Sequence, residues 1–186
     1  MFVAVVPPPP VRDALSDFLE PREGLPWIIP EQWHLTLAFM GAVPEHRIDD
    51  LAQGLTERLA RHTAFTVRLV GAGCFPSPER ARVLWLGVDP VGAGHLSELS
   101  SQARQVANAV GAAPDGTTFM PHLTLARLRR PIQATRWLRV LDAFAGASWQ
   151  VTTIEVVASH LGEGPRRRPR YENVATIDLR KPHGVH

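Results

Sequence analysis

The stretch His34-Leu35-Thr36-Leu37-Ala38 is repeated, residue for residue, as His122-Leu-Thr-Leu-Ala126. Because side chains alternate between the two faces of a β-strand, each copy predicts a strand with His and Thr on one face and two leucines on the other. The leucines suit a buried core, which leaves the His–Thr face free for chemistry. Two copies of such a strand predict one site that is built from two related halves.

The composition is that of an ordinary globular chain of 186 residues, with 45% hydrophobic and 20% charged residues. The formal charge of +2 leans only weakly toward anionic ligands. The single cysteine, Cys74, excludes an intrachain disulfide and a thiolate metal cluster. We find neither the pattern of a signal peptide nor an apolar run long enough to cross a bilayer. We therefore expect a cytoplasmic monomer that does not engage membranes.

Hydrophobic spacing predicts strands interleaved with helices along the chain. The predicted strands span residues 2–6, 34–40, 65–75, 83–88, 118–127, 149–159 and 170–179. The predicted helices span residues 11–20, 44–62, 96–110 and 134–144. Gly92-Ala93-Gly94, close to the midpoint, is interpreted as the boundary between the two halves of the chain.

The connections between strands favour a mainly antiparallel arrangement. Several neighbouring strands are joined by turns that are too short for a parallel crossover, so we predict an α+β fold with helices packed outside the sheets. The order of elements after each motif is similar: helix, strand, turn, strand. This predicts a single bilobal domain over residues 1–186, with pseudo-symmetric lobes at about 1–92 and 93–186 that are free to exchange strands.

The motif residues point to proton transfer on an anionic substrate. Near neutral pH one imidazole can accept a proton while an imidazolium donates one, and threonine hydroxyls can donate hydrogen bonds to negative oxygens. Two of each suit a phosphodiester. A strained five-membered cyclic phosphate would need no metal, and neither motif is accompanied by the three or four ligands that zinc requires. The sequence therefore predicts an active site without a metal.

These residues strongly resemble the RNA 2′,3′-cyclic phosphodiesterases, also called 2′-5′ RNA ligases, of the two-histidine (2H) phosphoesterase superfamily. The hallmark of that family is a pair of His-x-Thr-x motifs, and the similarity extends over nearly the whole chain. It includes Phe2-Val-Ala-Val-Val-Pro7, Gly73-Cys-Phe-Pro76, Phe119-Met-Pro-His122 and Tyr171. The resemblance implies a bilobal 2H phosphoesterase-like α+β fold, with a pseudo-twofold axis and a central cleft between two antiparallel sheets.

The resemblance also implies hydrolysis of a 2′,3′-cyclic phosphate to a 2′-phosphate, without a metal or other cofactor. The implied partners are RNA or nucleotides with cyclic phosphate ends. In this scheme His34 is the acid that protonates O3′, His122 is the base that activates water, and Thr36 and Thr124 hold the phosphate oxygens. Run backward, the same site would join a cyclic end to a 5′-hydroxyl through a 2′-5′ bond.

Three features beside the motifs carry weaker expectations. Arg127 ends the second motif strand and is a candidate for phosphate binding, although strict alternation points it away from Thr124. Phe39 and Trp85 could stack on a base, but core packing is favoured. The basic loop Arg166-Arg-Arg-Pro-Arg170 is interpreted as a solvated surface loop, with contact to RNA phosphates as the alternative.

Two other functions remain open from the sequence. The same chemistry could act on another small cyclic ester, such as ADP-ribose 1″,2″-cyclic phosphate. A module that binds RNA ends without turnover is the second alternative, although pure binding needs no proton donor. Five of the six other histidines are expected to lie at the surface or in the C-terminal tail: His46, His62, His95, His183 and His186.

Overall fold

The computed structural model describes residues 1–160, 162–163 and 169–182. Within these residues the strands are β1 (Phe2–Val5), β2 (Leu35–Phe39), β3 (Phe65–Val67), β4 (Leu69–Phe75), β5 (Ala81–Val88), β6 (His122–Ile132), β7 (Trp149–Val151), β8 (Thr153–His160) and β9 (Arg170–Asp178). The helices are α1 (Pro9–Leu19), α2 (Ile48–Leu59), α3 (Pro90–Ala109) and α4 (Thr135–Asp142). No helix in these ranges is both long enough and apolar enough to span a bilayer.

Seven strands form one sheet in the order β4-β5-β6-β2-β1-β8-β9, and every neighbouring pair is antiparallel. A second, two-stranded sheet consists of β3 and β7. The α+β class and the mainly antiparallel sheet are confirmed. The resemblance implied two separate sheets, whereas here the two halves are joined because β2 pairs with β6 at Leu35 and Leu123.

Each half of the large sheet takes strands from both halves of the chain. One half of the sheet contains β4, β5 and β6, and the other contains β2, β1, β8 and β9 in that order. A boundary near residue 92 therefore does not separate the two halves of the sheet, and the single bilobal domain stays a prediction. Gly92-Ala93-Gly94 lies inside α3, which begins six residues earlier than predicted. The reason is a proline at the first helical position and Asp89 at the N-cap, whose Oδ1 accepts from the backbone N–H of Gly92 at 3.0 Å.

Two predicted strands are each divided between the two sheets. Residues 65–75 form β3 and β4, and residues 149–159 belong to β7 and β8. At Arg68 the backbone leaves the ladder: its N–H donates to Asp89 Oδ2 at 2.7 Å and its carbonyl accepts from the Asp89 N–H at 3.0 Å. The apolar alternation continues across this corner, so the pattern of hydrophobic residues does not reveal it.

The helices cover the leucine face of the motif strands. α3 packs against β2, and α2 packs against α3. Leu51, Leu55 and Leu59 of α2 are fully buried in the core. The four motif leucines at positions 35, 37, 123 and 125 are at most 1% exposed. The predicted burial of the motif leucines is thus confirmed, and the opposite face of both motif strands is left uncovered by these helices.

A pair of glycines in α3 tests how closely this helix packs. A Cβ at Gly94 would meet nothing within 4 Å, so Gly94→Ala is expected to raise the free energy of unfolding by about 0.5–1 kcal/mol. At Gly92 a Cβ would lie 2.7 Å from Val67 Cγ1 and 2.9 Å from Asp89 Oδ2. Gly92→Ala should therefore lower it by about 1–3 kcal/mol. Urea unfolding followed by circular dichroism measures both; shifts of the same sign would contradict the packing described here.

Candidate active site

The two motif strands meet at one pair of leucines. Leu35 and Leu123 face each other in antiparallel register, and both are buried. Since the register is antiparallel, continuing it places the His of each motif opposite the Thr of the other. All four of these polar residues lie on the face opposite the leucines. The pair of leucines therefore acts as a local twofold centre, with one imidazole and one hydroxyl on each side of it.

Two adjoining cavities lie over this crossing, and we refer to them together as the cleft. The first has a volume of about 440 Å³ and is lined by His34, Thr36 and Thr124. The second has a volume of about 340 Å³ and is lined by His122. Three residues line both cavities: Thr36, Phe39 and Arg127. The structure thus brings together all five residues that the sequence singled out as a site.

An equivalent hydrogen bond to a backbone carbonyl fixes the position of the ring proton in each imidazole. His34 Nδ1 lies 2.7 Å from the carbonyl oxygen of Gln32, and His122 Nδ1 lies 2.7 Å from that of Met120. A carbonyl can only accept, so these contacts assign a proton to Nδ1 in both rings. The Nε2 atom of each ring is then the nitrogen that is available to accept or donate a proton.

Both histidines are biased toward the neutral form. Burial lowers the pKa of His34 and of His122, and the hydrogen bonds to the backbone carbonyls offset this only in part. The positive charge of Arg127 lowers both pKa values further. A positive charge on His122 also lowers the pKa of His34, because like charges repel. An anionic ligand in the cleft would act in the opposite direction, because it favours imidazolium.

Each histidine is held between two aromatic rings. Phe2 stacks on His34 with ring centroids 4.6 Å apart, and Tyr171 meets its edge at 5.7 Å. Phe75 and Trp85 flank the other histidine at 5.2 and 5.7 Å. Trp85 is half-buried beside the cleft rather than enclosed in the core. Phe2 and Tyr171 were not predicted as site residues, since they come from β1 and β9 and no local pattern links them to the motifs.

Both motif strands contain a β-bulge at the second leucine of the motif. Between β1 and β2 the register skips Leu37, because Val3 pairs with Ala38 while Ala4 pairs with Thr36. Between β5 and β6 the same break in register leaves the leucine at position 125 unpaired. Each bulge inserts one extra residue and reverses the alternation of the side chains that follow it.

The bulges bring two further side chains into the cleft. Arg127 and Phe39 each follow their motif histidine by five residues, and both line both cavities. Strict alternation pointed Arg127 away from Thr124, and that prediction was wrong because the bulge at Leu125 reverses the faces. The prediction that Phe39 packs in the core was also wrong, since this side chain is 44% exposed.

The carbonyl of each bulged leucine is satisfied from outside the sheet. The Leu37 carbonyl accepts from the hydroxyl of Ser100 in α3 at 2.6 Å, and the Leu125 carbonyl accepts from the N–H of Ile28 at 2.8 Å. Ser100 is 1% exposed and is the buried polar residue of the described core. An unpaired buried carbonyl is unfavourable, so these two donors stabilise the bulges that shape the cleft.

The basic loop is described only in part. Arg170 forms ion pairs with Glu163 at 2.9 Å and Glu172 at 3.3 Å, so its guanidinium is engaged by carboxylates. Arg166–Arg168 lie outside the described residues, as do His183 and His186. A contact between this loop and RNA phosphates stays a prediction.

Among the described residues, Asp115 supplies the carboxylate that lines the cleft, and it is engaged by other side chains. Asp115 lines the second cavity, but its Oδ1 lies 3.1 Å from Arg104 Nη1 and its Oδ2 accepts from the Thr117 hydroxyl at 2.9 Å. The cleft thus offers two imidazoles and paired polar groups, a set suited to acid–base chemistry on an anion.

The sequence matches the 2′-5′ RNA ligase superfamily over residues 7–163. The chain belongs to this superfamily. It is 36% identical over 148 residues to an RNA 2′,3′-cyclic phosphodiesterase of Aeropyrum pernix, a match that covers 76% of the chain and 81% of that relative. It is 33% identical over 191 residues to an RNA 2′,3′-cyclic phosphodiesterase of Thermus thermophilus, covering 99% and 92%.

Solved structures agree with this assignment. The crystal structure of LigT from E. coli in complex with 3′-AMP superimposes with a TM-score of 0.74 at 26% sequence identity, covering 96% of each chain. The family resemblance inferred from the two motifs and their flanks is therefore confirmed, together with the fold class that it implied.

The charge of Arg127 yields a prediction about both histidines. Because its positive charge lowers both pKa values, Arg127→Gln is expected to raise the pKa of His34 and of His122 in the ligand-free protein. A pH titration of the imidazole Cε1–H signals by NMR measures this, and the pH–rate profile should move to higher pH in the same variant. Arg129→Gln removes an exposed charge from outside the cleft and should leave both unchanged. Unchanged or lower pKa values in Arg127→Gln would contradict the electrostatic role.

Removal of the Ser100 hydroxyl tests the first bulge. Ser100→Ala leaves the buried Leu37 carbonyl without its donor, so the free energy of unfolding should fall by about 1–3 kcal/mol. Ser97→Ala is a matched control on the same helix, since the Ser97 hydroxyl bonds the Ala93 carbonyl at an exposed position. It should change stability by less than about 0.5 kcal/mol. Equal effects of the two substitutions in urea unfolding would show that the Ser100 hydrogen bond does not hold the bulge.

Proposed function

We propose that this chain hydrolyses the 2′,3′-cyclic phosphate of RNA or of a nucleotide to a 2′-phosphate. The observation that carries the proposal is the pair of imidazoles in two cavities that share Thr36 and Arg127. Each has Nδ1 bonded to a backbone carbonyl and an Nε2 that no other described residue bonds. Relatives named RNA 2′,3′-cyclic phosphodiesterase support the reaction, and the complex of LigT with 3′-AMP supports a nucleotide as substrate.

The phosphate would sit over the leucine crossing, between the two cavities. There Thr36 and Thr124 donate hydrogen bonds to its non-bridging oxygens, and the guanidinium of Arg127 balances its negative charge. Charge on these oxygens increases when water adds to phosphorus, so donors that are already in place stabilise the transition state more than the ground state. The anion also favours imidazolium, which offsets the lowered pKa of the histidine that must act as the acid.

Hydrolysis requires water and the leaving oxygen to lie on opposite sides of phosphorus. His122 Nε2 accepts a proton from water as the new P–O bond forms, and His34 Nε2–H protonates O3′ as the P–O3′ bond breaks. The product is a 2′-phosphate with a free 3′-hydroxyl, and proton exchange with solvent restores both rings. The larger cavity, beside His34, suits the nucleoside that carries O3′, and the smaller cavity suits the attacking water.

The same site would also support ligation, because a hydroxyl can replace water as the nucleophile. A 5′-hydroxyl in place of water, deprotonated by His122, would attack the cyclic phosphate and form a 2′-5′ bond. The proposed hydrolysis relies on the reactivity of the strained ring and on acid–base catalysis, so a chelator should leave activity unchanged. A cytoplasmic location and a monomeric state stay predictions.

Substitution of each histidine tests the mechanism. His34→Ala and His122→Ala should each lower kcat/KM for a nucleoside 2′,3′-cyclic phosphate about 10²- to 10⁴-fold, because each removes one proton transfer. A substrate with sulfur in place of O3′ separates the roles, since a thiolate leaves without protonation. We expect that substrate to rescue His34→Ala and not His122→Ala; the opposite rescue would exchange acid and base.

His46→Ala is the matched control, because His46 is exposed and does not line the cleft. Thermal unfolding of all three variants verifies that they remain folded. Full activity in either cleft variant would overturn the proposal. Stoichiometric binding of cyclic-ended RNA without product would favour the binding module instead. Turnover of ADP-ribose 1″,2″-cyclic phosphate alone would keep the chemistry and change the substrate.

A further inference from the structure

A second cluster of ligating side chains lies outside the cleft. His62, His95 and Glu98 each place one ligand atom within 4.8 Å of the other two. None of the three lines either cavity of the cleft. Among the described residues, only this group has three histidine, cysteine or carboxylate side chains close enough together to hold a metal ion.

The fold fixes two sides of this cluster. His95 and Glu98 are three residues apart on α3, so they share one face of that helix. His62 lies in the turn between α2 and β3, and its backbone is anchored at both ends. Its N–H donates to the Leu59 carbonyl at 2.9 Å, and its own carbonyl accepts from the Arg180 N–H at 2.9 Å.

The imidazole of His62 has an unpaired nitrogen in a buried position. The side chain is 10% exposed, and its Nε2 is buried with no hydrogen-bond partner among the described residues. The closest carboxylate oxygen, Glu98 Oε2, is 3.9 Å away, which is beyond hydrogen-bond distance. A buried polar atom without a partner is unfavourable by about 1–3 kcal/mol, so a ligand for this nitrogen would be stabilising.

An aromatic ring backs the two imidazoles. Phe65 stacks on His62 with centroids 5.6 Å apart and on His95 with centroids 4.7 Å apart. The carboxylate of Glu98 is 61% exposed and therefore has room to turn toward the two rings.

We propose that His62, His95 and Glu98 bind a divalent transition metal, with Zn²⁺ as the preferred ion. Two imidazoles and one carboxylate are a common zinc ligand set, and water would complete the coordination. Bonds of about 2.0–2.2 Å require the donors to approach more closely than they do now. Glu98, which is 61% exposed, can turn toward the rings, and the two imidazoles would have to adjust as well. The ion would tie the α2–β3 turn to α3 and stabilise the folded chain, at a distance from the proposed chemistry in the cleft.

The test measures stability and stoichiometry in the full chain after chelation and buffer exchange. Added ZnCl₂ should bind at one ion per chain by calorimetry and raise Tm by about 5–10 °C at a hundredfold excess over Kd. Co²⁺ in its place should give the visible absorption bands of a tetrahedral site. His95→Ala and Glu98→Gln should each abolish the Tm shift, and both substitutions lie on a helix surface where folding without metal is expected to persist.

Three controls identify where an ion binds. His46→Ala, the double variant His34→Ala with His122→Ala, and the double variant His183→Ala with His186→Ala should all retain the shift. Loss of binding in either double variant, or a full shift in His95→Ala, would overturn the site, as would the absence of a zinc-dependent shift in the unsubstituted chain. Hydrolysis of a cyclic phosphate by the chelated protein is measured separately, so failure of the metal site and failure of the proposed function are distinguishable.

Discussion

The buried pair of Leu35 and Leu123 is the constraint on which the site depends. Both side chains must remain in the core, and because strand side chains alternate, both His–Thr faces must then point to the opposite side. Antiparallel pairing at this point turns two copies of one short sequence into a site with local twofold symmetry. A slip of one residue in either strand would bury an imidazole and a hydroxyl and would expose two leucines.

The two bulges are related by the same local symmetry, but the side chains that they turn into the cleft are different. Each bulge turns the fifth residue after the motif histidine into the cleft, but that residue is Phe39 in one strand and Arg127 in the other. The donors that hold the bulges differ as well: a serine hydroxyl from α3 on one side and the backbone N–H of Ile28 on the other. The two histidines therefore have different neighbours, and a ligand in the cleft would meet both an aromatic ring and a cation.

Much of this arrangement was accessible from the sequence, because it depends on local periodicity. The motif strands, the leucine face and the stripe of Leu51, Leu55 and Leu59 follow from spacings of two and of three to four residues. The bulges were not accessible, since the sequence around Leu37 and Leu125 alternates without interruption. The aromatic rings beside His34 could not be predicted either, because the order of strands in the sheet brings Phe2 and Tyr171 to it. The corner at Arg68 is fixed by Asp89, twenty-one residues away along the chain.

The electrostatics of the cleft suggest how two similar histidines divide their roles. Burial and the charge of Arg127 lower both pKa values, and a charge on His122 lowers that of His34 further. An anionic phosphate favours protonation of whichever ring it approaches with its leaving oxygen. In the proposed reaction the unequal cavities would set the orientation of the nucleoside, and that orientation would determine which Nε2 faces O3′. The two histidines would then offer the same chemistry, and the walls of the cleft would decide which of them acts as the acid.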